Sequence, residues 1–229
     1  MEKHDAVMEK HDAVMEKYDA VMEKYDAVIV CNGAFPTHPL PLSIVDNASY
    51  LCCCDGAAQA VLSRGTKAPD AIVGDGDSLP ETLKQQYAHL LHLEDEQDYN
   101  DMTKATRFCM QRGARKIAYI GATGKREDHT LGNISLLAYY VQTLHIRPTL
   151  YTDYGTFLAI QGTQSFTSLK GQQVSLFNID CTEMESTGLK WPVFAAKTWW
   201  QTSLNEALSD QFSITANDTY LVFRTYETK

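Results

Sequence analysis

The chain has 229 residues, 44% of them hydrophobic, enough to bury a full core in one large domain or two small ones. Twenty Lys and Arg against 29 Asp and Glu give a formal charge of −9, and no basic stripe is present, so no polynucleotide partner is expected. No apolar run approaches the roughly 20 residues of a membrane span, and the charged N-terminus is unlike a signal peptide, so a cytoplasmic protein without a membrane partner is expected.

The first 28 residues write one seven-residue unit four times: MEKHDAV twice, then MEKYDAV twice. An a/d seam through His4, Val7, His11, Val14, Tyr18, Val21 and Tyr25 is poor for a coiled coil. Residues 1–21 therefore read as a dispensable extension, and the working chain as starting near Met22.

From Tyr25 onward strand and helix alternate. DAVIVCNG, SYLCCCDG, AIVGDGDS, LLHLE, KIAYIGATG and TLYTD read as strands. AAQAVLSRG, LPETLKQQYAHL, DMTKATRFCMQRG and LGNISLLAYYVQTL read as helices, with Gly stops after the first and third; SIVDNA is a short helix or turn. This alternation predicts an α/β domain over 22–154, with a mostly parallel, Rossmann-like sheet and helices on both faces. Cys52, Cys53 and Cys54 stand in one strand and alternate between its faces, so they read as buried reduced thiols rather than a disulfide or zinc site. After Tyr154 the chain turns to short alternating strands (TFLAIQG, QSFTSL, QVSLFNI, FSITAN and TYLVFRTY), which predict a small antiparallel β-sandwich over 155–229.

Open parallel sheets bind ligands beyond the carboxyl ends of their strands, and that is where Asn32-Gly33, Asp55-Gly56, Asp75-Gly76-Asp77-Ser78 and the stretch from Gly121 to His129 collect. Two carboxylates around one glycine, Asp75 and Asp77, make either a site for a hard cation such as Mg²⁺ or a capped turn. Asp98 and Asp101 stand at helical spacing near a helix start, where a ligand role competes with an N-cap. GATGKRE lacks the third glycine of a dinucleotide fingerprint and the first of a Walker A loop. It remains a Gly-rich turn offering Lys125 and Arg126 to phosphate oxygens.

In chain order, NGAFP, DGAA, VGDGDS, QDYNDMTKA, GATGKREDHTLGN, STGLKW and SLNEA closely resemble the thiamine pyrophosphokinase family, over about residues 26–229. The resemblance implies transfer of the pyrophosphoryl group of ATP to the thiamine hydroxyl, giving thiamine diphosphate and AMP. It also implies Mg²⁺ dependence and a homodimer with active sites between subunits. Residue by residue, it implies metal ligation by Asp75, Asp77 and Asp101, with Asp128 joining them as a catalytic carboxylate and either Asp101 or Asp128 accepting the hydroxyl proton. Nucleotide contacts fall to Asn32, Asp55, Asp98, Lys104, Lys125, Arg126 and Asn133. Thiamine contacts fall to Gln97, Ser186, Thr187, Trp191, Ser203 and Asn205. Here Asn100 replaces a usual Thr, and Leu204 interrupts a usual Ser-Asn pair. Two other readings stay open on the residues: an NAD(P)-binding oxidoreductase built on GATG, and a non-catalytic nucleotide- or thiamine-binding module.

Overall fold

The structure, a computed structural model, describes residues 23–228; the extension assigned to residues 1–21 lies outside them. Six parallel strands form one half of a large sheet: β1 (Ala27–Val30), β2 (Leu51–Cys54), β3 (Ala71–Gly74), β4 (Leu91–Leu93), β5 (Lys116–Ile120) and β6 (Arg147–Tyr151). Their spatial order is β6-β5-β1-β2-β3-β4. Five helices connect them: α1 (Pro39–Asp46), α2 (Ala57–Arg64), α3 (Glu81–Gln86), α4 (Asp101–Gln111) and α5 (Glu127–Gln142).

The strands are apolar throughout because both their faces are covered. Val28, Val30, Leu51, Cys53 and Ile72 pack with Ile44 and Val45 of α1 and Ala58 and Val61 of α2. Ala27, Ile29, Cys52 and Cys54 point the other way, onto Met102 and Ala105 of α4 and Leu137 and Tyr140 of α5. All six cysteines are free and buried, with Cys53 on the opposite face from Cys52 and Cys54. Two buried hydroxyl pairs fix α4 against its neighbours: Thr106 with Tyr119 and Thr103 with Tyr140, each 2.9 Å apart. Such pairs satisfy tyrosine hydroxyls that would cost about 1–3 kcal/mol each if left bare.

The remaining strands are β7 (Gly155–Gln161), β8 (Gln164–Thr167), β9 (Gln172–Asn178), β10 (Met184–Thr187), β11 (Asn205–Glu206), β12 (Gln211–Ala216) and β13 (Thr219–Thr228). They do not all form a body of their own. β7 pairs antiparallel with β6, and β13, β9 and β11 follow, so one ten-stranded sheet runs in the order β11-β9-β13-β7-β6-β5-β1-β2-β3-β4. The join is a tight turn in which the Thr152 hydroxyl accepts the N–H groups of Tyr154 and Gly155. Gly155 is required there, since a Cβ would stand 2.1 Å from the Arg224 carbonyl oxygen on β13. A separate three-stranded antiparallel sheet, β10-β12-β8, shares a core with the antiparallel half, in which Phe166, Phe212 and Ile214 meet Val174, Leu176, Tyr220 and Val222. Two strands are absent from the sequence reading, β10 and β11, the first mostly polar and the second only two residues long.

Candidate active site

In the parallel half, β1 has β2 on one side and β5 on the other, so connections leave in opposite directions and open a crevice at the carboxyl ends. Parallel pairing of β2 with β3 brings Asp55 beside the Asp75-Gly76-Asp77 turn. Carboxylate oxygens of Asp55, Asp75 and Asp77 lie within 4.8 Å of one another. The turn is tied internally: the Asp77 N–H donates to Asp75 Oδ1 at 3.1 Å, the Ser78 N–H to Asp55 Oδ2 at 2.8 Å, and the Ser78 hydroxyl to Asp77 Oδ1 at 3.0 Å. Gly76 takes φ 79°. Asp55 itself sits at φ 37°, a conformation Asp tolerates better than most residues.

Asp101 opens α4 and places its carboxylate 3.4 Å from where a Cβ on Gly74 would stand, next to this trio. Lys104, one turn on, is nearly fully buried, with Nζ 3.1 Å from the Glu94 carbonyl and 3.9 Å from Asp101 Oδ1. It supports the acidic group from beneath. Burial raises the Asp55 carboxyl above its ordinary range against the pull of the Ser78 N–H, and the charges of Asp75 and Asp77 raise it further. Burial likewise raises Asp101, with Lys104 opposing and the three other carboxylates adding. The Asp77 N–H holds Asp75 below the usual range. Four carboxylates with little to neutralise them form an all-oxygen donor set, and that chemistry fits a hard divalent cation such as Mg²⁺.

The other rim is the turn after β5. The N–H groups of Gly33 and Ala34 donate to the Gly121 and Thr123 carbonyls at 2.7 and 2.8 Å, folding the loops after β1 and β5 onto each other. Lys125 Nζ donates to the carbonyl and the side-chain oxygen of Asn32, at 3.0 and 3.1 Å. Asn133 donates to the Ala122 carbonyl and accepts from Asn100, so α5, this turn and the start of α4 are linked. Arg126 Nε donates to Asp128 Oδ1 at 3.1 Å, and that bond holds the exposed Asp128 carboxyl below its ordinary range. Glu127 and Asp128 fill the first turn of α5, so the helix start that a dinucleotide pyrophosphate would use already faces two carboxylates.

Asp98 and Asp101 do not share a helix face. Asn100 caps α4, accepting the Thr103 N–H at 3.0 Å, and Asp98 lies before it in the loop with Gln97. The thiamine set divides further. Asn205 on β11 is buried and bridges both backbone groups of Trp191, accepting from its N–H at 3.1 Å and donating to its carbonyl at 2.8 Å. Ser203 donates to the Trp200 carbonyl nearby, and Ser186 and Thr187 lie on β10. Seven strand spacings, about 34 Å, separate β11 from β2 in the ten-stranded sheet. Ser78, which the sequence placed at this strand end without a role, supports two of the three converging carboxylates, and Asp55, expected at the nucleotide, is the third of them. Ser78 directly follows Asp77, but only the β2–β3 pairing brings it to Asp55.

Residues 42–147 match the family profile described as the thiamin pyrophosphokinase catalytic domain, and residues 155–223 match that of its substrate-binding domain. The chain belongs to the thiamin pyrophosphokinase family. Thiamin pyrophosphokinase 1 of Caenorhabditis elegans is 30% identical over 106 residues, 43% of this chain and 43% of that protein. Thiamine pyrophosphokinase 1 of rice, Oryza sativa subsp. japonica, is 29% identical over 177 residues, 64% of this chain and 66% of that one. The aligned segments thus span from 43% to 66% of these relatives' length. Among solved structures, thiamin pyrophosphokinase from Candida albicans superposes with a TM-score of 0.73 at 18% identity, covering 89% of this chain and 90% of that one. The Geobacillus thermodenitrificans structure gives 0.72 at 24%, covering 88% and 97%. At these identities the superpositions speak for the fold of the family member, a mixed α/β sheet with a separate antiparallel sheet.

Proposed function

We propose that this family member transfers the pyrophosphoryl group of ATP to thiamine, and that it does so as a cytoplasmic homodimer. The observation that carries the reading is the convergence of Asp55, Asp75 and Asp77, with Asp101 beside them, at the crevice of the parallel half. In this reading residues 22–154 form a Rossmann-like catalytic domain and 155–229 a thiamine-binding and dimerisation domain built as a small sandwich, although one sheet runs through both. Asp55, Asp75 and Asp77 would hold Mg²⁺, which when bound neutralises phosphate charge.

The chain's own residues account for the rest. Asn32, Lys125 and Arg126 line the rim where the triphosphate would lie, and Asn133 holds that rim to α4. As the thiamine hydroxyl oxygen bonds to the β-phosphorus, its proton passes to a carboxylate, the bond from that phosphorus to the bridging oxygen breaks, and AMP leaves with the electron pair. Asp101, beside the trio, and Asp128, in the first turn of α5, are the two carboxylates offered to that proton. An oxidoreductase reading leaves the carboxylate cluster without a task.

The distance between β11 and the acidic crevice is the argument for two chains. In this reading Ser186, Thr187, Trp191, Ser203 and Asn205 reach a phosphate held at Asp75 from a second copy, since β11 lies seven strand spacings from β2. Exposed Trp191, Trp200, Leu204 and Leu208 give the antiparallel half an apolar surface of the kind a subunit interface covers. Complementation tests this. Mixing Asp75→Asn chains with Asn205→Ala chains forms heterodimers in which one of two sites draws both halves from intact sequence. AMP release that depends on thiamine should return to about a quarter of wild type for random pairing; no recovery from chains that do exchange would refute the shared site. Wild-type protein that releases ADP, or no AMP, would refute the reaction.

A further inference from the structure

Lys125 occupies backbone that a lysine does not choose. The Arg126 N–H donates to the Gly124 carbonyl at 2.9 Å, closing a three-residue turn with Lys125 at its centre and φ 62°. A γ-turn with positive φ is the rare, strained form, and glycine enters it at far less cost than any residue with a Cβ. The turn is nonetheless well anchored: Gly124 N–H donates to the Thr130 hydroxyl at 3.0 Å, and Gly124 packs against Ala34, where a Cβ would come within 2.6 Å.

The strain points the side chain to one place. Its ammonium is held only by neutral oxygens, the carbonyl and amide oxygens of Asn32, and among the described residues Lys125 makes no ion pair, whereas neighbouring Arg126 is paired with Asp128. Asn32 leads on to the acidic crevice: its Nδ2 lies 2.8 Å from where a Cβ on Gly56 would stand, and Ser78 Cβ lies 3.1 Å from the same point. The Lys125 ammonium is thus tied to Asn32, the residue that adjoins Gly56 and Ser78 on the acidic side, where β1 has β2 on one side and β5 on the other.

We infer that Lys125 is a specificity-determining residue for the polyphosphate end of the nucleotide, and that the chain gives up stability to keep it in a glycine-like turn. The inference rests on the reading of the crevice as a nucleoside triphosphate site. On binding, the ammonium exchanges the two neutral Asn32 oxygens for β- and γ-phosphate oxygens, a charge-assisted contact that AMP does not offer. Lys125 thus favours the triphosphate entering over the monophosphate leaving.

Two variants separate this from a structural role. Lys125→Gly removes the charge and relieves the backbone; Lys125→Met removes the charge and keeps the strain. Titration calorimetry with ATP and with AMP, Mg²⁺ present in both, should give roughly 10-fold weaker ATP binding in both variants, with AMP affinity changed less than 2-fold. Thermal melts should hold or raise the Tm of Lys125→Gly by up to about 3 °C. Lys125→Arg, which keeps the charge, should recover most of the ATP affinity. If Lys125→Gly lowers the Tm and ATP binding is unchanged, or if ATP and AMP weaken equally, Lys125 is a tether for the Asn32 loop and the inference fails. Wild-type protein that binds ATP but releases no thiamine-dependent AMP would overturn the reaction proposed above and leave the inference about Lys125 standing.

Discussion

The two halves of the ten-stranded sheet handle polar chemistry in opposite ways. In the parallel half every strand points its carboxyl end to the same edge, so Asn32, Asp55, Asp75 and the turn from Gly121 to Arg126 meet although up to 94 positions separate them. In the antiparallel half successive strand ends alternate between edges, and large apolar side chains, Trp191, Phe194, Trp200 and Leu204, stand exposed among charged ones such as Lys190 and Lys197. One half gathers charge at a single edge; the other carries large apolar side chains on its surface.

The largest expected effect breaks the charged half alone. Asp75→Asn should lower thiamine-dependent AMP release roughly 1000-fold while the melting curve keeps its shape, measured with saturating ATP and Mg²⁺. A loss below 10-fold would remove Asp75 from the reaction.

Asp55→Asn should separate activity from stability. Because the folded carboxyl is raised above its unfolded value, the native chain binds that proton more tightly, and stability falls as pH rises from the ordinary carboxylate range through the raised one. The amide can keep the Ser78 N–H bond and tolerates the φ of 37°, so the variant should melt about 2–4 °C higher than wild type near neutral pH in a chelator. Its activity should fall about 100-fold. The stability difference should vanish as the pH drops below about 4.

The apolar half is tested by Trp191→Ala, expected to raise the KM for thiamine roughly 10-fold with the KM for ATP unchanged. Asn205→Ala strips both backbone partners from Trp191 and should cost about 2 kcal/mol by denaturant melts. The smallest effect is at the base of the charged half, where Asp26 accepts the Arg115 and Lys116 N–H groups at 2.8 Å each. Those bonds depress its carboxyl, so their contribution is present at neutral pH and fades as pH falls below the ordinary carboxylate range. Asp26→Ala should cost about 1 kcal/mol at pH 7 and less at pH 3.

The parallel strands could be read from sequence because burial on both faces leaves an unbroken apolar run, as in AVIV and AIVG. The site residues at strand ends could be read for the same reason: the run stops and Asn-Gly, Asp-Gly or Gly-Asp begins. Pairings set by space were out of reach. Nothing local says that Asp55 will join Asp75 and Asp77, since the contact exists only because Cys54 aligns with Val73. The helical spacing of Asp98 and Asp101 misled, because the Asn100 side chain captures the Thr103 N–H and starts the helix after Asp98. β11 carries no pattern of its own, being two residues held by the backbone of β9. The break in texture near Tyr154 is real in composition, yet hydrogen bonding continues across it from β6 to β7.

That continuity bears on how the molecule moves. A backbone ladder from β4 to β11, with the Gly155 crossing locked under the Arg224 carbonyl, leaves no soft joint between the halves. In the proposed homodimer, gathering around substrate would then come from two rigid subunits sliding on one another. A covalent staple within one chain, across the β6–β7 turn, should leave turnover nearly untouched, and a staple between chains should arrest it.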